Sequence, residues 1–462
     1  MVAVSMTAGF GLCGTANADR PPPIDPGALP AGDPAVPPDK TERGSGVNGL
    51  CYRTEPVTNT ATVPTSQRSL DLERAWGFSR GAGQLVAVID TGVAPHPRLP
   101  GLMPGGDYVE AGGDGTDDCD VHGTVVAGII GATEVDGEGF AGVAPEARIL
   151  SIRQTSALFQ TEGAGREKSA EDRPDGYGKV SSLAAAIRRA ADFGANVINI
   201  SLVSCNNGSP AAEAAFAALG AAVQYATLEK DAVIVSSAGN ADNNCQSGNP
   251  EPDPLKPEQD LWDSIRTYVS PAWYDEYVLS VGSIGATGAP SAFTVPGPWV
   301  GVAAPGEGIT SLDARTAGIS DGKYDGQGKH SPYSGTSFAA PYVAGVAALV
   351  RARFPELSAM QVIKRLQATA HSPAEGWNPY VGYGAVNPVA ALTHEVPDEL
   401  PPKRVHPPRS EQLALPPAQT PPDNLARNVA LIGSGIIAVT LVLGVLASFP
   451  IRRKFGMSSD DL

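Results

Sequence analysis

Short apolar runs alternate along the chain with longer segments in which apolar residues recur at helical spacing. The runs that have the length and composition of buried strands are residues 85–89, 147–153, 196–202, 232–237 and 277–283. Two segments have the apolar spacing of helices that bury one face, residues 181–195 and 211–230. Since strands that alternate with helices form parallel sheets covered on both faces, the pattern predicts a three-layer α/β domain with a mostly parallel sheet flanked by helices.

A different pattern begins after Leu392, where the chain becomes rich in proline and then strongly apolar. Residues 393–428 have the composition of a semi-rigid extended linker. Residues 429–449 contain no charged side chain and match the roughly 20 residues that a helix needs to cross a bilayer, so they predict one transmembrane helix. The alternative is a core helix, but no further domain follows that could bury it. Basic residues at 452–454 favour a cytoplasmic tail, residues 450–462, with the large domain outside.

The N-terminal residues 1–18 combine an apolar, small-residue core with Ala16-Asn17-Ala18, a triplet typical of signal-peptidase cleavage. No lysine or arginine precedes the apolar core, so either the true start lies upstream of Met1 or the signal is atypical; we favour the former. Residues 19–64 are rich in proline, glycine and aspartate, and they lack the alternating pattern of a folded inhibitory propeptide. We therefore expect an extended N-terminal arm, with a released propeptide as the alternative.

The length of the chain limits the number of domains, and its charge limits the kind of molecule that it can bind. The 462 residues, of which 42% are hydrophobic, suffice for one large domain with appendages. The formal net charge is −16, and no basic cluster precedes the C-terminus. Because binding to phosphates needs a basic surface, these features argue against a nucleic-acid partner.

Three polar residues stand at the ends of predicted elements. Asp90 follows a buried run at the carboxyl end of its strand, where open α/β sheets place their sites. His122 and Ser337 each stand at the start of a small-residue segment with helical period. Taken singly, such residues are usually turn, cap or structural residues. Together they supply what acyl transfer needs: a serine nucleophile, a histidine that takes its proton, and an aspartate that holds the histidine tautomer.

The segments around these residues are DTGV at Asp90, HGTVVAG at His122 and GTSFAAPYVAG at Ser337. They closely resemble the corresponding motifs of the subtilase family of serine proteases. The resemblance covers about residues 65–392, implies a subtilisin-like fold there, and implies Asp90, His122 and Ser337 as the catalytic triad. It also implies that Asn240, in the segment SSAGNADNN, donates its side-chain amide to the oxyanion.

The same resemblance implies a substrate-binding strand in NVINISLVS, with Ser201, Leu202 and Val203 beside the substrate. Val203 stands where the family usually has glycine. A β-branched side chain there would crowd the specificity pocket or shift the substrate strand. The preference of the family for the residue before the cleaved bond therefore cannot be carried over.

Two polar segments interrupt the strand and helix pattern, residues 155–179 and residues 244–260. A loop as long as the first is either functional or mobile, and we expect a flexible insert near the substrate cleft. Neither segment resembles a carboxylate cage that would hold calcium. We expect no metal and no cofactor.

Removal of the signal peptide would remove Cys13 and leave Cys51, Cys119, Cys205 and Cys245. An even number of cysteines in an exported chain predicts two disulfides, for which three pairings are possible. Zinc binding is the alternative, but no histidine accompanies these cysteines at zinc-like spacing. Cys205 follows the substrate strand and Cys245 follows the oxyanion asparagine, so we pair these two. The remaining pair, Cys51 with Cys119, would fix the arm beside the triad.

The order of segments along the whole chain is similar to that of the mycosins, subtilases of actinobacterial type VII secretion systems. This resemblance implies a membrane-anchored extracytoplasmic endopeptidase with exported proteins as substrates and the type VII secretion membrane complex as partner. The alternative is a structural or assembly component in which catalysis is dispensable. A lipase or esterase is disfavoured because Gly-x-Ser-x-Gly is absent around Ser337.

Overall fold

The computed structural model describes residues 20–44, 51–163, 176–207, 214–241, 245, 249–253, 255–256, 259–325, 328–397, 399–401, 403 and 424–455. The chain divides into a large unit within residues 1–408 and a small unit within residues 409–462. The expected signal peptide and residues 404–423 of the expected linker lie outside the described residues.

The strands of the large unit are, in chain order, β1 (Thr41–Arg43), β2 (Arg53–Pro56), β3 (Leu85–Asp90), β4 (Met103–Asp107), β5 (Arg148–Arg153), β6 (Phe159–Thr161), β7 (Val197–Ile200), β8 (Ser204–Asn207), β9 (Val233–Ser237), β10 (Thr267–Ser270), β11 (Val278–Ile284), β12 (Val300–Pro305), β13 (Ser311–Leu312), β14 (Ile319–Tyr324) and β15 (His330–Pro332). Its α-helices are α1 (Thr65–Arg68), α2 (Leu72–Trp76), α3 (His122–Gly131), α4 (Val180–Asp192), α5 (Ala214–Gln224), α6 (Thr336–Arg353), α7 (Ala359–Ala368) and α8 (Pro388–Thr393).

Seven strands form the central sheet in the order β12-β11-β9-β7-β3-β5-β4. Each neighbouring pair in this sheet is parallel. The five apolar runs of the sequence form β3, β5, β7, β9 and β11. The prediction of a mostly parallel sheet is confirmed, and β4 and β12 complete the sheet at its two edges.

Alternate side chains of each central strand enter different layers. Val86 and Val88 of β3 belong to one buried cluster, together with apolar residues of α3 and α6. Leu85, Ala87 and Ile89 belong to a second cluster, together with residues of α4 and α5. Because every residue of β3 is buried, both faces of the sheet are covered, which is the three-layer arrangement expected from the sequence.

Helix α6 is buried along nearly its whole length. It contacts α3 and the strands β7, β9, β11 and β12. Small residues allow this close packing: a Cβ atom at Gly345 would lie 2.5 Å from Cβ of Val143. A helix with apolar side chains on all sides is stable only in such a buried position.

The N-terminal arm is extended, and two short strands attach it to the domain. Strand β1 pairs with β6 in antiparallel register, and β2 pairs with β14 in the same sense. Strand β6 lies inside the segment 155–179, which we expected to be a flexible insert. The first part of that segment is therefore a strand held by the arm, whereas residues 164–175 lie outside the described residues.

The helical segment predicted at 211–230 is observed in two parts. Helix α5 is followed directly by one turn of π-helix, Tyr225–Glu229. Residues 211–213 lie outside the described residues.

In the small unit, the residues that the structure describes contain one helix, α9 (Leu425–Phe455). Its stretch Leu425–Phe449 is strongly apolar overall and is exposed along its length. At about 1.5 Å per residue, this stretch is long enough to cross the roughly 30 Å hydrocarbon core of a bilayer. The apolar helix that we predicted at residues 429–449 is present, and it begins a few residues earlier.

Candidate active site

Asp90 is the last residue of β3, and its side chain is fully buried. Oδ1 of Asp90 accepts a hydrogen bond of 2.8 Å from the backbone N–H of Thr91. The carboxyl ends of β3 and β7 lie side by side in the sheet, so the residues that follow these strands converge at one edge. This edge is where the other candidate residues are found.

His122 is the first residue of α3 and lies between the other two candidates. Its Nδ1 atom is 2.7 Å from Oδ1 of Asp90, and its Nε2 atom is 2.9 Å from Oγ of Ser337. When Nδ1–H donates a hydrogen bond to the Asp90 carboxylate, Nε2 carries no proton and accepts a hydrogen bond from the serine hydroxyl. The ring centroid of Phe338 lies 4.9 Å from that of His122 and closes one side of the imidazole.

Ser337 is the second residue of α6, directly after the turn Gly335-Thr336. Gly335 has a φ of 155°, and a Cβ atom there would lie 3.1 Å from Oγ of Ser337 and 3.2 Å from Nδ2 of Asn240. Glycine therefore keeps open the space beside the serine hydroxyl. The N-terminus of α6 adds backbone N–H groups and the positive end of a long helix dipole at the same place.

The side chain of Asn240 is oriented by Thr336. Its Oδ1 atom accepts hydrogen bonds from the backbone N–H of Thr336 at 2.9 Å and from the Thr336 hydroxyl at 3.0 Å. Because the carbonyl end is held in this way, the amide Nδ2 faces the space next to Gly335 and Ser337. A donor at this position can reach a negative charge that develops on a substrate carbonyl.

His122, Asn240 and Ser337 line a cleft of about 450 Å³, whereas Asp90 is buried beneath it. Ser201, Leu202 and Val203 line the same cleft, so the structure brings the three predicted substrate-binding residues close to His122 and Ser337. Val203 also packs against the core cluster that contains α4 and α5.

The insert lies at the cleft, as expected from the sequence, whereas a second wall was not predicted. Ala157 and Lys179 of the insert line the cleft on one side, and Lys323 of β14 lines it elsewhere. Lys179 forms an ion pair of 2.9 Å with Asp39 of the arm. The sequence does not indicate that the hairpin β14–β15 faces the cleft, since strands this short have no detectable periodicity.

Asp118 is a further residue that sequence analysis missed. It is buried four residues before His122. Burial raises the pKa of the Asp118 carboxyl to about 7; hydrogen bonds from Thr124 and Thr91 oppose this rise, and the charge of Asp120 adds to it. In the sequence it is one of several aspartates in a polar stretch, which is typical of an ordinary turn.

Both pairs of cysteines are bonded. Cys51 is joined to Cys119, with Cα atoms 4.5 Å apart, and Cys205 is joined to Cys245, with Cα atoms 5.3 Å apart. The first bond attaches the arm to the segment before His122, and the second lies at the cleft. Among the residues that the structure describes, no cluster of three or more His, Cys, Asp or Glu side chains is placed to hold a metal ion.

Comparisons with known proteins agree with this architecture. The model of the subtilase family, a group of S8 peptidases, matches residues 81–384. Mycosin-1 of Mycolicibacterium smegmatis (strain ATCC 700084 / mc(2)155) is 44% identical over 444 residues, which span 93% of this chain and 95% of the relative.

Two solved structures extend the similarity to three dimensions. The MycP3 protease from the type VII (ESX-3) secretion system is similar with a TM-score of 0.75 and 46% identity, over 81% of this chain and 100% of that chain. A chain of an intact ESX-5 inner membrane complex is similar with a TM-score of 0.76 and 41% identity, over 93% of this chain and 99% of that chain. This chain therefore belongs to the subtilase family and, within it, to the mycosins.

Proposed function

We propose that the protein is a membrane-anchored serine endopeptidase that cleaves exported proteins outside the cytoplasmic membrane, in association with a type VII secretion complex. The main support for the catalytic part of this proposal is the position of His122. Its two ring nitrogens lie 2.7 Å from Oδ1 of Asp90 and 2.9 Å from Oγ of Ser337. This geometry supports a serine nucleophile that is activated by a general base.

In the proposed reaction, Oγ of Ser337 attacks the carbonyl carbon of a peptide bond while Nε2 of His122 takes the hydroxyl proton. The tetrahedral intermediate collapses when His122 gives this proton to the leaving amine and the C–N bond breaks. A water molecule, deprotonated by His122, then attacks the acyl-enzyme, releases the acid product and restores the Ser337 hydroxyl. Throughout the reaction, Asp90 accepts a hydrogen bond from Nδ1–H of His122 and stabilises the imidazolium.

The carbonyl oxygen becomes negatively charged in the tetrahedral intermediate, so it needs hydrogen-bond donors next to it. We assign this role to Nδ2 of Asn240 and to the backbone N–H of Ser337. The hydrogen bonds from Thr336 to Oδ1 of Asn240 support the assignment, because they fix the amide before substrate binds. Donors that are fixed in advance stabilise the transition state without a cost of reorganisation.

We further propose a division of the chain that follows the sequence predictions: residues 1–18 as signal peptide, 19–64 as N-terminal extension, 65–392 as peptidase domain, 393–428 as linker, 429–449 as transmembrane helix and 450–462 as cytoplasmic tail. Two disulfides in the large unit support an oxidising, extracytoplasmic location. The apolar helix α9 supports membrane anchoring. Similarity to a chain of an ESX-5 inner membrane complex supports the secretion complex as partner.

Covalent labelling tests the catalytic proposal. A fluorophosphonate probe should modify the full-length protein once, at Ser337, and Ser337→Ala should abolish labelling. Ser358→Ala is a matched control, since Ser358 also stands at a helix start, where its hydroxyl accepts from the backbone N–H of Gln361 and caps α7. A folded wild-type protein that resists the probe, or labelling that survives in Ser337→Ala, would contradict the proposal.

A structural role is a second candidate, and the similarity to a chain within an intact inner membrane complex favours it. Secreted proteins from cells that carry wild type, Ser337→Ala or no copy of the gene separate the two roles. New protein termini that are present only with wild type identify substrates of the peptidase. Normal secretion with Ser337→Ala, together with lost secretion in the deletion, shows that assembly is the more important role.

A further inference from the structure

The segment just before His122 contains a buried aspartate that the proposed mechanism does not use. Asp118 is 1% exposed, and its two carboxylate oxygens accept hydrogen bonds from two threonines. Oδ1 accepts from the hydroxyl of Thr91 at 2.8 Å. Oδ2 accepts from the backbone N–H and the hydroxyl of Thr124, at 2.8 Å and 2.6 Å. A buried carboxylate is costly unless its oxygens are paired in this way.

Thr91 connects this carboxylate to both of the triad residues in the first half of the chain. Its backbone N–H donates to Oδ1 of Asp90 at 2.8 Å, and its Oγ1 atom accepts from the N–H of Gly123 at 2.9 Å. A hydroxyl has a single proton, and Asp118 accepts it, so the lone pairs of Oγ1 remain for Gly123. Asp118 thereby fixes the one hydroxyl that joins the end of β3 to the residue after His122.

Thr124 provides the second connection. It is the third residue of α3, and its Oγ1 atom accepts from the N–H of Ala94 at 2.9 Å. Asp118 thus satisfies a backbone donor in the first turn of the helix that begins with His122. The loops after β3 and before α3 are in close contact here, since a Cβ atom at Gly123 would lie 2.0 Å from the carbonyl oxygen of Gly92.

The backbone before His122 is strained. Val121 has a φ of 75°, a conformation that is unfavourable for a β-branched residue, and its side chain is fully buried. Such a conformation persists only where the surrounding structure imposes it. The hydrogen bonds of Asp118, three residues earlier, and the buried Val121 side chain supply that constraint.

We infer that Asp118 is a positioning residue, whose ionised carboxylate holds the loop after Asp90 and the first turn of α3 together and so keeps His122 aligned with Asp90 and Ser337. The inference rests on the proposed peptidase function. Asp118 itself touches neither the substrate nor the reacting atoms. Its role is separate from that of Asp120, which accepts a hydrogen bond of 2.7 Å from the N–H of Ala157 in the insert.

The inference requires an ionised Asp118. If the carboxyl were protonated, one of its oxygens would carry a hydrogen and would point it at the N–H or O–H groups of Thr91 and Thr124, which are themselves donors. Burial raises the pKa of Asp118 to about 7, so this loss would begin near neutral pH and increase as the pH falls. The titratable and charged groups around Asp118 are Asp120, Arg315, Tyr333, Asp90 and His122. The guanidinium of Arg315 donates to the backbone oxygen of Asp118 and leaves the carboxylate to the threonines.

The test uses the full-length protein and measures fluorophosphonate labelling of Ser337, separated into the maximal rate kinact and the probe affinity KI, together with thermal unfolding. Asp118→Ala should lower kinact by about 10²-fold with little change in KI, because a small misplacement of a catalytic group has an effect of this size. Thr91→Val, which keeps the shape of the side chain but removes the bridging hydroxyl, should lower kinact by about tenfold.

Two further variants separate positioning from stability. Asp231→Ala is the matched control: Asp231 accepts from the N–H of Ala359 in the first turn of α7, so its loss should lower the melting temperature and leave kinact unchanged. Asp118→Asn should lower kinact by about tenfold at neutral pH. The kinact of both wild type and Asp118→Asn should decline at acid pH. The decline in the variant should lack the contribution of one ionising group, because asparagine does not titrate.

The outcomes separate this inference from the proposed function. A folded wild-type protein that is not labelled refutes the peptidase proposal itself. If wild type is labelled, a folded Asp118→Ala with unchanged kinact, or with a change in KI alone, overturns the inference. Should Asp118→Ala fail to fold, unchanged kinact in Thr91→Val or identical acid limbs in wild type and Asp118→Asn overturns it instead.

Discussion

Two regions that meet at the cleft are built in different ways. The catalytic frame comprises the end of β3 and the first turns of α3 and α6, which rest on the buried parallel sheet. The cleft margin comprises the hairpin β14–β15, which lines the cleft, and the strands attached around it: β2 of the arm, which pairs with β14, and β1 of the arm, which pairs with β6 of the insert. Its strands are short, half-exposed and antiparallel, and they join segments that are far apart in the chain.

The difference concerns what holds each region. Apolar burial on both sides of the sheet stabilises the frame, so its side chains are positioned by the core. The margin depends on specific links: the Cys51–Cys119 bond, the 2.7 Å hydrogen bond from Thr54 to Asp313, and the ion pair of Lys179 with Asp39. We therefore expect the rate of the proposed chemical step to depend on the frame, and the stability of the cleft and the access of substrate to it to depend on the margin.

Removal of the base from the frame should have the largest effect. His122→Ala should lower kcat by about 10⁶-fold, since the nucleophile, base and aspartate of a triad act as a unit, and KM should change little. Steady-state hydrolysis of casein measures this loss. His371→Ala is the control, because His371 lies away from the cleft lining and its substitution should retain activity. Loss of activity in both variants would mean that the histidine position is not specific.

Removal of a link in the margin should act on stability instead. The double variant Cys51→Ser/Cys119→Ser opens a bond between residues 68 positions apart, and it should lower the free energy of unfolding by about 4 kcal/mol. Denaturant titration measures this change. The kcat of the folded fraction should fall by less than about tenfold. A loss of kcat similar to that of His122→Ala would show that the frame and the margin are not separate.

Removal of the proposed oxyanion donor tests the frame at a second position. Asn240→Ala should lower kcat by about 10²–10³-fold and change KM little, because the donor acts on charge that exists only in the transition state. Asn249→Ala is a matched control. Its Nδ2 donates to the carbonyl oxygens of Thr267 at 3.0 Å and Pro296 at 2.8 Å, so it should lower stability and leave kcat nearly unchanged.

The smallest effect is expected at the border of the two regions. Val203→Gly should change the preference for the residue before the cleaved bond by about tenfold. The removal of the β-branched side chain leaves space in the cleft for a substrate side chain that is larger by a few carbon atoms. Cleavage of a peptide mixture, read by mass spectrometry, measures the preference. The exposed Val135→Gly serves as control. An unchanged preference in Val203→Gly would remove Val203 from the specificity pocket.

The sequence predicted the frame well because its signals are local. A strand that is buried on both faces reads as a continuous apolar run, and Asp90, His122 and Ser337 each lie directly at an element end. The periodic segments and the subtilase motifs therefore predicted both the sheet and the place of these residues in it.

The margin could not be predicted in the same way. Strands such as Thr41–Arg43 and Arg53–Pro56 are too short and polar to show a period, and their partners are distant in the chain. Asp118 was missed for a related reason. The three-dimensional contacts with Thr91 and Thr124, and not the residue type, distinguish it from the neighbouring aspartates.

The position of α6 has a consequence for the timing of activity. Ser337, the proposed nucleophile, lies on a helix near the end of the domain, whereas Asp90 and His122 come from its first third. Because α6 fills the middle of one layer and contacts α3, β7, β9, β11 and β12, it can dock only when those elements are present. In the proposed mechanism, a chain whose C-terminal part has not yet crossed the membrane therefore lacks an assembled triad and cannot hydrolyse peptides.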